Sequence, residues 1–192
     1  MMFERFTRSA EDVVKGALDH ADRAGSGRVE SAHLLRALLD GEGSRGAFVL
    51  AALGVPERRA SLERALDLSR RRAGLSGADS RALAELGIDV EAVVSRVEDV
   101  HGEGALADRP RPRSLFGPRR PFGKETKDVL TRSLRIVTAR GERRIGDEHL
   151  LLALTTQPGA VAEALADHGV TYASVERILY GGGENRGQAK AG

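Results

Sequence analysis

The chain states one pattern twice, and this constrains its fold more than any other feature. FTRSAEDVVKGALDHADRAGSGRVESAHLLRAL, starting at Phe6, lies over FGKETKDVLTRSLRIVTARGERRIGDEHLLLAL, starting at Phe122, without a gap. Phe6 pairs with Phe122 and His33 with His149, both at an offset of 116 residues (122 − 6 and 149 − 33). Val13/Val129, Leu18/Leu134, Gly25/Gly141, Arg28/Arg144 and Leu34-Leu35/Leu150-Leu151 fall into the same line. The match continues more loosely from Leu53-Gly54-Val55 and His168-Gly169-Val170 to Ser61-Leu62-Glu63-Arg64 and Ser174-Val175-Glu176-Arg177. A duplication of this length means two copies of one supersecondary unit, each too small to bury its own apolar face. The copies are therefore expected to pack as one body, with function sought where they meet.

Each copy reads as four helices. Val13, Val14, Ala17, Leu18 and Ala21 recur at helical spacing, with Thr7 or Ser9 as a cap and Gly25 as a stop. Ser31 is expected to cap the short apolar helix AHLLRALL, and Asp147 its counterpart EHLLLALT. A third helix spans roughly 46–53, and Pro56 opens a fourth running to about Arg71. The second copy repeats the order over 124–140, 148–155, 159–168 and 172–180. Between the copies, 79–86 and 89–100 read as two further helices, the second with Asp89 as cap and Val90, Val93, Val94 and Val97 on one face. HGEGALADRPRPRSLFGPRRP is a Pro-, Gly- and Arg-rich linker, and GGGENRGQAKAG a tail expected to be disordered. The organisation is thus 1–71 as first repeat, 72–121 as insert and linker, 122–180 as second repeat and 181–192 as tail.

Composition narrows the class further. The balance of 41% hydrophobic and 30% charged residues belongs to a globular protein. Aromatics are only 4% with no Trp, so the core must be built of Leu, Val and Ala, which suits an all-α bundle. Thirty basic residues nearly balance 28 acidic ones, and a net charge of +2 does not call for a nucleic-acid partner. The absence of cysteine removes disulfides, thiolate metal sites and thiol catalysis together. The opening MMFERFTRSAEDVV carries charges where a signal peptide needs an apolar run, and no stretch approaches a membrane span, so a cytoplasmic location is expected.

No motif for chemistry survives inspection. Gly123-Lys124 resembles part of a phosphate loop, but Pro118 stands where its leading glycine belongs and Glu125 where its Ser or Thr belongs. The five histidines never fall at the one-turn spacing of a helical metal site, so no metal is expected, nor any other cofactor. His33 and His149 are expected to bond locally and shore up helix starts, with no nucleophile or paired acid beside them; the chain reads as a non-enzyme. Arg109, Arg111, Arg113, Arg119 and Arg120 form the most basic stretch, read as a solvated linker, with a nucleic-acid-associated regulator as the alternative function.

FERFTRSAEDVV, AHLLRAL and LGV, followed by PFGKETKDVLTRSL and IGDEHLLLALT, resemble the double repeat that forms the N-terminal domain of Clp-type AAA+ unfoldases, closest to the ClpC branch. The resemblance covers about 3–66 and 121–179. It implies two tandem four-helix repeats packed with pseudo-twofold symmetry, without the ATPase modules that usually follow. The function it implies is a binding accessory of the Clp protease system, recruiting substrates or adaptors or acting as a decoy. Clp components, adaptors, client proteins or peptides, and cyclic-peptide antibiotics are the partners it suggests. By the same resemblance Phe3 and Phe122 sit at the leading edges of the copies, and Thr7, Phe122, Lys124 and Glu148 join Phe3 as candidate partner-binding residues. Phe6 is read as packing under the first helix. In the ClpC branch a Thr or Ser after the leading Phe and a Glu before the helical His are associated with docking phosphorylated arginines. Here the first copy has Thr7 but Ala32, and the second has Glu148 but Gly123. Counted copy by copy, neither pocket is complete, and phosphoarginine binding does not follow.

Overall fold

The computed structural model describes residues 5–102, 104–106 and 120–181. Among these, ten α-helices follow in order: α1 Arg8–Arg23, α2 Ser31–Leu39, α3 Arg45–Ala52, α4 Val55–Arg71, α5 Gly77–Glu85, α6 Val90–His101, α7 Lys124–Ala139, α8 Asp147–Thr155, α9 Ala160–Asp167 and α10 Tyr172–Tyr180. Helices α1–α4 and α7–α10 are the two copies, and α5–α6 the insert. Phe3, most of the arginine-rich linker and nearly all of the tail lie outside the described residues.

Two helix starts differ from the expected capping. The N-cap of α2 is Glu30 and that of α8 is Gly146, each one residue earlier than expected. The reason lies at the duplicated histidines. His33 Nδ1 accepts the Glu30 N–H at 3.0 Å, and His149 Nδ1 accepts the Gly146 N–H at 3.0 Å. The imidazole at the third helical position already serves the cap amide, as Glu or Gln does in a capping box. Ser31 and Asp147 are thereby free to reach across to other helices. The start of α5 also moves forward: Ser76 is the cap, and Asp79 is its box partner, accepting the Ser76 N–H at 3.1 Å.

The copies are joined by a reciprocal clasp. Phe6 pairs with Ile145 and Val29 with Phe122 in two short parallel bridges. Adding 116 to Phe6 and Val29 gives Phe122 and Ile145, so one bridge is the repeat image of the other. Thr7 N–H donates to Ile145 C=O at 2.9 Å, and its image, Gly123 N–H to Val29 C=O, measures 2.8 Å. Such self-complementary exchange is the signature of an isologous twofold contact, here built within one chain.

One core results, and α2 and α8 form its centre. Leu34, Leu35 and Leu38 of the first copy join Leu150, Leu151, Leu152 and Leu154 of the second in a single buried cluster. Every residue of α8 from Asp147 to Leu154 is buried, as in a helix surrounded by others on all sides. No described helix is long and apolar enough to cross a membrane.

The insert is attached from outside. Glu163 of α9 accepts the Gly77 and Ala78 N–H groups at 2.7 and 3.1 Å, holding the α5 N-terminus, and Arg71 pairs with Glu98 at 2.7 Å. Arg72 pairs with Glu91. The valine face expected on α6 is split: Val90 and Val94 are buried, Val97 is half-buried and Val93 is 48% exposed. The linker closes before residue 121, since Arg120 pairs with Asp22 of α1.

Candidate functional site: a groove across the repeat seam

A groove of about 1080 Å³ opens beside the clasp. Its walls come from both copies: Thr7 and Ser9 at the start of α1, the loop from Gly41 to Arg45, and Glu142, Asp147 and Glu148 before and within α8. Each wall has a local cause. Thr7 caps α1, its hydroxyl oxygen accepting the Ala10 N–H at 3.3 Å, while its own N–H is held by Ile145. The second copy thus fixes where the first copy's hydroxyl stands.

The acidic floor depends on two glycines. Asp147 Oδ2 accepts the Gly46 N–H at 2.9 Å and the Ser44 hydroxyl at 2.5 Å, so it caps α3 of the other copy rather than its own helix. A Cβ on Gly46 would lie 2.4 Å from that oxygen, and one on Gly146 would lie 2.1 Å from Glu148 Oε2. Glu148 folds back over Gly146 and is 4% exposed, its Oε1 accepting from Arg45 Nη1 at 2.9 Å. Burial pushes the Glu148 carboxyl above the usual carboxylate range; His149 and Arg45 oppose that and Asp147 adds to it. Asp147 Oδ1 is buried with no hydrogen-bond partner among the described residues, and an orphaned buried acceptor of this kind carries a cost that a ligand's donor would relieve.

A hydrogen-bonded chain backs the floor. His149 Nε2 lies 3.2 Å from Glu142 Oε2, and the Tyr180 hydroxyl lies 3.4 Å from both Glu142 Oε1 and His149 Nε2. The Arg140 guanidinium sits 3.3 Å over the Tyr180 ring. His149 therefore does have an acid beside it, contrary to the sequence expectation; Glu142 arrives from the turn before α8. Glu142, Glu148 and His149 bring their ligand atoms within 4.8 Å of one another, a spacing that invites the question of a metal. The histidine answers it. Its Nδ1 lone pair is taken by the Gly146 N–H, so Nε2 carries the proton and points it at a carboxylate, leaving no nitrogen to coordinate.

Thr7 and Glu148, which sequence reading placed in two separate half-empty pockets, face the same groove. Their repeat images Gly123 and Ala32 also share one pocket, of about 500 Å³, at the opposite end of the pseudo-twofold. Ser31 there replaces Asp147, and Lys124 replaces Arg8. The pockets are thus assembled in trans, which corrects the copy-by-copy count: one contains both residues and the other neither. Lys124 is exposed and lines the second pocket, whereas Phe122, like Phe6, is half-buried against the core and lines neither pocket. Ala73, Gly74 and Leu106, from the end of α4 and the insert, line this second pocket. Arg45, Glu142 and Tyr180 were not singled out from the sequence, and Asp147 only as a helix cap. The non-equivalence of Asp147-Glu148 with Ser31-Ala32 in otherwise matched copies was the available signal.

Comparison with known proteins agrees with this architecture. The chain matches the Clp repeat N-terminal domain over residues 5–79 and 74–168. It is similar in structure to the N-terminal domain of the Caseinolytic protease associated chaperone ClpD from Arabidopsis thaliana, with a TM-score of 0.53, 18% identity and coverage of 93% of this chain and 97% of that one. A chain from structural work on a malarial protein secretion system gives a TM-score of 0.55 at 14% identity, covering 92% of each. The trans-assembled pockets, the single core and these matches lead to one conclusion: the chain belongs to the Clp repeat N-terminal domain family, the protein-interaction module of Clp/Hsp100 chaperones.

Proposed function

We propose that the Thr7/Glu148 groove is a receptor for a polypeptide segment bearing an arginine side chain, and that the protein serves as a substrate- or adaptor-recognition accessory, or a decoy, for a Clp-type protease system. The observation that carries this reading is the acidic floor. It offers a buried carboxylate, Glu148, and an orphaned buried oxygen, Asp147 Oδ1, both suited to a guanidinium. A phosphorylated arginine adds a second fit, since the Thr7 hydroxyl and Arg8, Arg143 and Arg144 line the same groove and complement a phosphoryl group. The groove is larger than one side chain requires, which suits a peptide or a compact cyclic peptide as ligand.

Titration calorimetry with a short peptide carrying one arginine, plain and phosphorylated on the guanidinium, tests the proposal. One binding event per chain is expected, lost in Glu148→Ala and weakened selectively for the phosphorylated peptide in Thr7→Val. Equal binding by wild type and Glu148→Ala would refute it. The alternative of a nucleic-acid regulator gains nothing from Arg120, whose guanidinium is paired with Asp22.

A further inference from the structure

The second pocket contains a buried hydrogen-bond donor without an acceptor. His33 is 3% exposed and lines this pocket. Its Nδ1 lone pair is taken by the Glu30 N–H at 3.0 Å, so the ring proton sits on Nε2. In the other repeat the Nε2–H of His149 faces Glu142 at 3.2 Å. The residue in the place of Glu142 is Ser26 (142 − 116), whose hydroxyl donates to the Arg28 C=O at 2.8 Å. His33 Nε2 is thus left with no acceptor among the described residues. The cations around it are also unmatched. Arg70 and Lys124 line the pocket with exposed side chains that pair with no acid among the described residues. Arg36 bonds Asp67 at 2.6 Å and adds its charge to the same wall. The helix α7 opens at this pocket, at Gly123, with no side-chain cap on its first-turn amides.

We propose that the second pocket binds a carboxylate of a polypeptide ligand, which accepts the His33 Nε2–H and draws on the charges of Arg70 and Lys124. A buried donor with no acceptor carries a cost that a ligand oxygen removes, and the unmatched cations set the sign of that ligand. A single negative charge fits better than a phosphoryl dianion, because Glu30 and Glu125 stand in the same lining. The remaining walls include Leu66, Ala73, Leu106 and Val161, apolar groups suited to the carbon chain that carries the carboxylate. A chain terminus and a Glu side chain share this chemistry. The proposal does not depend on arginine binding at the seam groove, since the two pockets lie at opposite ends of the pseudo-twofold and share no lining residue.

Imidazole proton resonances of the full chain, followed by NMR between about pH 3 and 7, test this. The His33 signal is assigned by its loss in His33→Gln. The probes are acetyl-Ala-Leu with a free carboxylate, acetyl-Glu-Leu amide and the neutral acetyl-Ala-Leu amide, each at millimolar concentration, with inorganic phosphate alongside. The charges acting on His33 in the free protein are those of Arg36, His20, Arg70 and Arg120, which with burial hold it at about 4. A bound carboxylate favours the imidazolium, so either acidic peptide is expected to raise that value by about one unit, while the neutral amide leaves it in place. A stronger response to the first peptide assigns a chain terminus, and to the second an acidic side chain. Arg70→Glu and Lys124→Glu, both at exposed positions, should each weaken binding at least about fivefold with the melting temperature retained. An unmoved His33 signal with both acidic peptides, an equal response to the neutral amide, or a response to phosphate alone would overturn the proposal. So would an affinity indifferent to both charge reversals. The His149 signal should stay in place throughout, which separates these outcomes from peptide binding at the seam groove.

Discussion

The two pockets at the ends of the pseudo-twofold began as one design and now hold opposite chemistry. At the first, Asp147 and Glu148 put two buried carboxylates under Thr7; at the second, Ser31 and Ala32 stand in their places and Gly123 replaces the hydroxyl. The backbone clasp that frames them is unchanged, with matching hydrogen bonds of 2.9 and 2.8 Å. The lesson is that clasp and core fix the frame, and side chains outside both were free to diverge. Ser31 shows what divergence left behind. Its hydroxyl donates to Glu125 at 2.8 Å, a contact between copies in the wall of the second pocket.

The largest effect is expected where the halves do not differ. Leu151 and its image Leu35 are both fully buried in the shared core, and truncation of either to Ala should cost about 2–5 kcal/mol. Because the core is single, each variant should unfold in one calorimetric transition carrying the whole chain. Two separated transitions, with only one shifted, would break the picture of a shared core and return the copies to independent domains.

Next come the titrating groups, which differ in sign between the ends. Burial, followed by Arg36, His20, Arg70 and Arg120, lowers His33 from 6.5 to about 4. The unfolded chain then binds more protons than the folded one between those values, so stability should fall as pH drops from about 6.5 to 4, by on the order of 3 kcal/mol. Glu148 is raised by burial, so its contribution is present in acid and is lost as pH rises through its elevated folded value. His33→Gln, which keeps a cap acceptor, should flatten the acid limb of a plot of melting temperature against pH, and Glu148→Gln the opposite limb. An unchanged acid limb in His33→Gln would show that the histidine is not the group responsible.

These contrasts also explain what the sequence revealed. Ten helices, the duplication and the family were legible because they rest on local periodicity and on a gapless offset. The short-helix caps were misplaced by one residue because His at the third position holds the amide of the residue before, as the third-position Glu or Gln of a capping box does, while Ser31 and Asp147 act elsewhere. The site was half legible. Thr7 and Glu148 could be named, yet their meeting in one groove depends on a clasp between segments 139 residues apart (145 − 6), which no local pattern encodes. Gly46 and Gly146 carried no turn signal of positive φ; they matter through the carboxylates that approach them.

Rebuilding the second pocket sharpens the comparison at the level of binding. Gly123→Thr with Ala32→Glu restores the two side chains, and Gly123 has an ordinary extended conformation that accepts a side chain. Its new Cβ would stand 3.3 Å from Arg28 Cδ, which can move aside, and 3.3 Å from Val29 O, a clasp carbonyl that must give by a few tenths of an ångström. The rebuilt protein should bind an arginine peptide at two sites, the new one about tenfold weaker because Ser31 offers no second carboxylate. A stoichiometry that stays at one would mean that the insert residues Ala73, Gly74 and Leu106 close this pocket whatever its floor contains.

The smallest expected effect distinguishes the pockets most finely. Arg45 holds Glu148 at 2.9 Å in the open groove, yet its own side chain is 53% exposed, and its counterpart in the second copy is Ala160. A guanidinium so placed is a tethered rival for any arginine that enters, and it must swing outward before Glu148 can accept a ligand. Arg45→Ala should therefore tighten binding of the plain arginine peptide by a few-fold, with some loss of stability in the free protein because the buried Glu148 loses its cationic partner. For the phosphorylated peptide the gain should be smaller or reversed, since the displaced Arg45 is then available to the phosphoryl group. If Arg45→Ala weakens binding of both peptides alike, Arg45 grips the ligand backbone instead of competing with it, and the groove's acidic floor is not the primary determinant.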